Sequence, residues 1–233
     1  MVKKTLKYGL LVGLIAAAVS AHASIIFETP PGSTAGGQPV DARATFSFGT
    51  NSLQIVLQNL EANPTSVIQA ISDLEFTLSL GASSGSLSSS SGQEITIASG
   101  GTYTLGSTVS TGWGLTANGA GSFTLDVLGT ATAPAHLIIG PPDGSNVYSN
   151  ANGSIAGNGP HNPFLDLSAT FNLSIPGVTA GTTITGVNFS FGTTEGTTVP
   201  GTQLLAESVP EPATLGLIGL GLAALGFSRK RSH

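Results

Sequence analysis

Apolar and polar residues alternate in short runs through the middle of this chain. ATFSFG (44–49) sets Phe46 and Phe48 on one side. SLQIVLQNL (52–60) sets Leu53, Ile55 and Leu57 on one face and Gln54 and Gln58 on the other. LEFTLSL (74–80) repeats the pattern with Leu74, Phe76, Leu78 and Leu80. EITIA (94–98), SFTLDVLG (122–129), HLIIG (136–140), LDLSATFNLSI (165–175) and TTITGVNFSFG (182–192) read the same way. A period of two means one buried face and one wet face, so each run predicts a half-buried β-strand.

PTSVIQAIS (64–72) alone invites a helix. Pro64 and Ser66 suit its start, and Val67, Ile68 and Ile71 share a face. GASSGSLSSSSGQ (81–93) is Ser/Gly low complexity and reads as a flexible loop. PPDGSNVYSNANGSIAGNGPHNP (141–163) reads as a long, mostly structureless surface excursion, its Pro, Gly and Asn setting turns. Short strands separated by turn residues predict an all-β body, an antiparallel β-sandwich of jelly-roll type. A β-helix or solenoid is the alternative for so much Gly, Ser and Thr, but no fixed period supports it.

The two ends differ from this body. MVKKTLKYGLLVGLIAAAVSAHA opens with Lys3, Lys4 and Lys7, continues through an apolar run from Leu10 to Val19, and closes on Ala21-His22-Ala23. These are the three parts of a secretory signal peptide (residues 1–23), routed through the Sec translocon and cut by signal peptidase to leave Ser24 first. At the other end Ala213 to Phe227 carries no charge. As a helix it spans roughly 22 Å at ~1.5 Å per residue. That is short of a ~30 Å hydrocarbon core, and Arg229, Lys230 and Arg231 would snorkel to make up part of the difference. Basic residues favour the cytoplasmic side, so both ends lie inside and the body (24–208) outside the inner membrane. GLGLAALG (219–226) lacks the spacing and the preceding strand of a dinucleotide loop and belongs to the membrane helix.

VPEPATLGLIGLGLAALGFSRKR resembles the PEP-CTERM sorting signal, here residues 209–233. Its motif falls on Val209, Pro210, Glu211 and Pro212, its basic end on Arg229, Lys230 and Arg231. The resemblance implies that a membrane-embedded transpeptidase, the exosortase, recognises the tail and cuts near Pro210–Pro212. The inner-membrane anchor is then temporary, and the body passes to the cell surface or the extracellular space. The same resemblance implies an association with exopolysaccharide and biofilm formation.

Charge removes several functions. Residues 24–209 hold one basic residue, Arg43, and eleven acidic ones, a net −10. Such a body has nothing to neutralise phosphates, so nucleic acid is no partner. The chain contains no cysteine, which excludes disulfides, thiolate catalysis and Cys-based zinc sites.

The remaining chemistry is sparse. GASSG (81–85) fits G-x-S-x-G with Ser83 as nucleophile, and Asp143 and His161 follow in a hydrolase order, but LSSSSGQ does not supply the helix that a nucleophile elbow needs. His136, Asp143, His161 and Asp166 lack metal-ligand spacing, so no metal or other cofactor is expected. Asp73 and Glu75 alternate with Leu74 and Phe76 and read as a solvated face rather than a glycosidase pair. Trp113, the one tryptophan, lies in STGWGLTANG (110–119), either as a core plug or as a platform that stacks on a sugar with Tyr103 and Tyr148. Asn152, Asn172 and Asn188 begin Asn-x-Ser triplets, the last two within expected strands. The expected function is a non-enzymatic exported surface or matrix protein. A secreted carbohydrate-binding module is the alternative, and a secreted hydrolase the third reading.

Overall fold

Alternating side chains become alternating faces. In the computed structural model, which describes residues 24–194 and 197–204, β4 (Ala42–Gly49) buries Ala42, Ala44, Phe46 and Phe48 and leaves the residues between them half-exposed. It turns through Asn51, at φ 52°, into β5 (Ser52–Asn59), which buries Leu53, Ile55 and Leu57. The same rule holds for Leu74, Phe76 and Leu78 of β6 (Ile71–Leu78). Each fully buried Phe or Leu contributes about 1.5–3 kcal/mol by leaving water.

Before them run β1 (Ile25–Glu28) and a small separate ribbon, β2 (Thr34–Ala35) with β3 (Gln38–Pro39). After β6 come β7 (Ser86–Ile97), β8 (Tyr103–Val109), β9 (Gly114–Gly119) and β10 (Ser122–Asp126). Then follow β11 (Ile138–Ile139), β12 (Phe164–Ser174), β13 (Ile184–Phe191), β14 (Thr198–Pro200) and β15 (Thr202–Leu204). Apart from the ribbon, all of them join one 13-stranded sheet.

That sheet has two flanks. One runs β14-β13-β6-β10-β9 and the other β8-β7-β12-β5-β4-β1-β15. The two-residue β11 bridges them, with Ile138 opposite both Ile71 of β6 and Leu165 of β12. The flanks share one core in a sandwich-like arrangement, with Phe46 of one against Phe76 of the other at 5.8 Å between ring centroids. The expectation of a purely antiparallel body is corrected at this bridge: β11 runs parallel to β12, so the sheet is mixed. All other pairings are antiparallel.

Three further expectations change. The helix over 64–72 shrinks to one 3₁₀ turn, Val67–Gln69, because Ile71 and Ser72 already belong to β6. Gln69 closes the turn itself: its Oε1 accepts the N–H groups of Thr65 (2.6 Å) and Ser66 (3.1 Å). Of the serine-rich loop, 81–85 stays outside any strand, but 86–93 belongs to β7, a strand of twelve residues. Serine is a poor strand former alone, but β12 offers a ladder along 169–174, and pairing overrides composition. Asn172 Nδ2 also donates to Ser89 Oγ at 3.0 Å.

The segment 141–163 contains no strand, yet it is not structureless. Tyr148 and Ile155 are buried, and the Tyr148 hydroxyl donates to the Gly140 carbonyl at 2.9 Å. Asn162 fastens the far end: its Oδ1 accepts from Ile97 N at 2.8 Å, and its Nδ2 donates to Asn158 O at 2.8 Å and Ile155 O at 3.2 Å.

Candidate functional site

The processing signals frame the body. Ala21, Ala23, Val209, Pro210, Glu211, Pro212, Arg229, Lys230, Arg231 and the expected membrane helix lie outside the described residues. Among the described residues no helix is long and apolar enough to cross a membrane. What the structure does show is how the first and last described strands meet. β1 begins one residue after Ser24, and β15 ends at Leu204. The two strands pair antiparallel, with Ile26 opposite Leu204 and Glu28 opposite Thr202. First and last strands of the described body therefore share one edge of one flank.

A cleft of about 400 Å³ opens at this edge, lined by Glu28, Pro30, Pro31, Asp41, Glu61 and Leu204 among others. Its carboxylates are not equivalent. Glu28 forms an ion pair with Arg43. Asp41 Oδ1 accepts from Thr29 Oγ1 at 3.3 Å, and that hydroxyl accepts the Ala42 N–H at 3.0 Å. Burial, and then the neighbouring Asp41 charge, push the Glu61 carboxyl above its usual value. The cleft is thus acidic over an apolar, proline-rich floor. Among the described residues no group of three or more His, Asp or Glu side chains is placed to hold a metal ion.

The aromatic candidates occupy a different place. Trp113 is 5% exposed, its ring packs on Phe171 at 5.1 Å, and its Nε1–H donates to the His136 carbonyl at 2.9 Å. Tyr148 is 1% exposed. Burial, then the nearby Asp166 and Tyr103, push its phenol well above the usual value. Tyr103 is half-buried and meets Tyr148 edge-on at 5.7 Å. Of the two readings of Trp113, core plug or sugar platform with Tyr103 and Tyr148, its burial matches the first. Two of the three rings face the core, because link 110–113 carries Trp113 from one flank to the other and drops it between them.

Asp143 and His161 are engaged within their own loop. Asp143 caps a turn, accepting from Ser149 Oγ (2.6 Å), Ser145 N (2.8 Å) and Val147 N (3.1 Å), and these bonds hold its carboxyl below the usual value. His161 Nδ1 faces the Ser154 carbonyl at 2.6 Å. Ser83 precedes β7 rather than a helix. Asn172 and Asn188 stand in β12 and β13, and Asn152 Oδ1 accepts from Ser154 N at 2.8 Å.

One pairing escaped the sequence. His136, at φ 60°, places Nδ1 2.9 Å from the Thr111 carbonyl and Nε2 3.1 Å from Glu94 Oε1. A carbonyl only accepts, so Nδ1 carries a proton. This clamp joins β7, the 110–113 link and the segment before β11. Its members lie 25 and 42 residues apart, so no local motif announces it.

Against known proteins, a family model for the PEP-CTERM protein-sorting motif matches residues 208–231. No curated protein and no solved structure matches the chain. Body and tail together define an exported all-β domain followed by a C-terminal sorting signal. The chain is a PEP-CTERM motif-containing protein, and the motif implies export, transit through the membrane and processing by an exosortase.

Proposed function

We propose that this protein is a non-enzymatic component of the cell surface or extracellular matrix, delivered by the exosortase route and associated with exopolysaccharide in a biofilm. The observation that carries the reading is the sorting motif at 208–231, behind a body in which Asp143 and His161 serve their own loop. Repeated crossing of the chain between the two flanks favours a jelly-roll-like scaffold. The carbohydrate-binding reading weakens with Trp113 and Tyr148 in the core.

The test is the intact mass of the protein from the medium, the cell surface and the membrane fraction of the producing cell. A species that starts at Ser24 and ends near Pro210–Pro212 is expected outside the membrane fraction. Full-length C-termini held in the membrane would make the tail a permanent anchor and overturn the reading.

A further inference from the structure

We propose that the acidic cleft beside β15 is a docking surface for the processing enzyme, so that the exosortase reads the folded body as well as the tail. This rests on the processing reading above.

The first argument is length. Leu204 is the last residue of β15, and the matched motif begins at residue 208. Four residues, 205–208, separate Leu204 from Val209. Fully extended, they reach about 14 Å. A body of this size has a radius of gyration of about 16 Å. The tether is therefore no longer than the body's own radius. An enzyme that surrounds the Pro-Glu-Pro motif must touch the face from which β15 leaves.

The second argument is what that face contains. Thr202 and Leu204 of β15 themselves line the cleft, with Pro30, Pro31, Asp41 and Glu61. Thr202, Gln203 and Leu204 are all exposed, and among the described residues β15 pairs only with β1, which leaves its outer edge unpaired there. The apolar floor offers burial, and the prolines are already rigid, so docking costs little ordering entropy.

The third argument is charge. Arg43 is the only Lys or Arg in residues 24–208, and it is committed to Glu28. Asp41 and Glu61 have no cation beside them among the described residues. Complementarity calls for a cationic patch on the extracytoplasmic side of the enzyme. Anionic lipid headgroups are repelled by the same carboxylates, which favours the enzyme over the membrane as occupant.

The experiment follows the rate at which the full chain loses its C-terminal signal in the producing cell, by pulse-labelling. Glu211→Ala first tests whether the motif directs processing at all. Loss of processing there keeps the underlying reading, and unchanged processing sinks it. With the motif intact, Glu61→Lys and Pro31→Arg each bring positive charge into the acidic cleft, the second at an exposed position that no packed group depends on. A ten-residue Gly/Ser insertion after Ala206 lowers the effective concentration of the body at the enzyme without touching the body. The expected result is processing slowed about fivefold or more by both charge variants and by the insertion. Processing at the parental rate or faster, in either the charge variants or the insertion, overturns the proposal while leaving the motif reading in place.

Discussion

Trp113 and His136 hold each other across 23 residues of chain, the indole Nε1–H donating to the His136 carbonyl at 2.9 Å. The same His136 ring reaches back to the Thr111 carbonyl, so indole and imidazole lock one crossing between the flanks from both sides. Removing the indole empties a site against Phe171 and strips a carbonyl of its donor. Trp113→Ala should cost about 3–5 kcal/mol, measured by urea denaturation. The single tryptophan also makes a direct reporter. Its emission should be blue-shifted, resist acrylamide quenching, and stay unchanged on titration with soluble glycans.

Asn59 is a buried polar cross-link. Its Nδ2 donates to Gln69 O (2.8 Å) and Ile138 O (2.9 Å), and its Oδ1 accepts from Glu61 N (3.1 Å). It thereby ties the 3₁₀ turn and the β11 bridge to β5. Asn59→Leu leaves those backbone groups without partners in the core. Unmatched buried groups cost about 1–3 kcal/mol each, so a loss of about 3 kcal/mol or more is expected in the same denaturation experiment.

Gly140 cannot carry a side chain. A Cβ there would stand 2.0 Å from the Glu61 carbonyl oxygen and 2.9 Å from Asn59 Oδ1. Around Gly153 nothing lies within 4 Å. Gly140→Ala should destabilise by about 3 kcal/mol or prevent folding, whereas Gly153→Ala should stay within about 0.5 kcal/mol of the parent. Equal melting temperatures for the two variants would contradict the close approach of the two backbone segments.

Asp166 and Glu61 set the pH response. Burial raises the Asp166 carboxyl from its usual 3.8, and burial with Asp41 raises Glu61 from 4.5. A carboxyl whose folded value is raised binds its proton more tightly when folded. Its contribution to stability is complete below the usual value and is lost as pH rises through the raised one. Asp166→Asn should therefore raise the urea midpoint at pH 7 and have no effect below pH 3.8. Asp143, held low by its turn, runs the other way and contributes above 3.8.

Sequence patterning located the strands that face a core on one side only. β4, β5, β6, β10, β12 and β13 fall within their expected runs to within a few residues. Each carries apolar residues at alternate positions over most of its length, Phe, Leu or Ile at several of them. What stayed hidden has a different origin. β8 and the first half of β7 are edge or near-edge segments with little to bury, so Ser86–Ser91 and Thr104–Thr108 carry no apolar signature. β1 and β15 are short and acquire their meaning only by meeting each other. The sorting motif was readable because it is a linear signal, residue by residue. The cleft was not, because Glu28, Asp41, Glu61 and Leu204 come from four separate stretches of chain.

The pairing of β1 with β15 has a consequence for the order of events during export. The first strand to emerge is also the one that waits longest, since its outer neighbour is the last piece of the body to follow. No partial translocation product can close that edge. The ladder is completed only when Leu204 has crossed, a few residues before the sorting motif itself arrives. The last strand of the body and the sorting motif are neighbours in the chain, so a body cut short of Leu204 has neither a closed edge nor a signal.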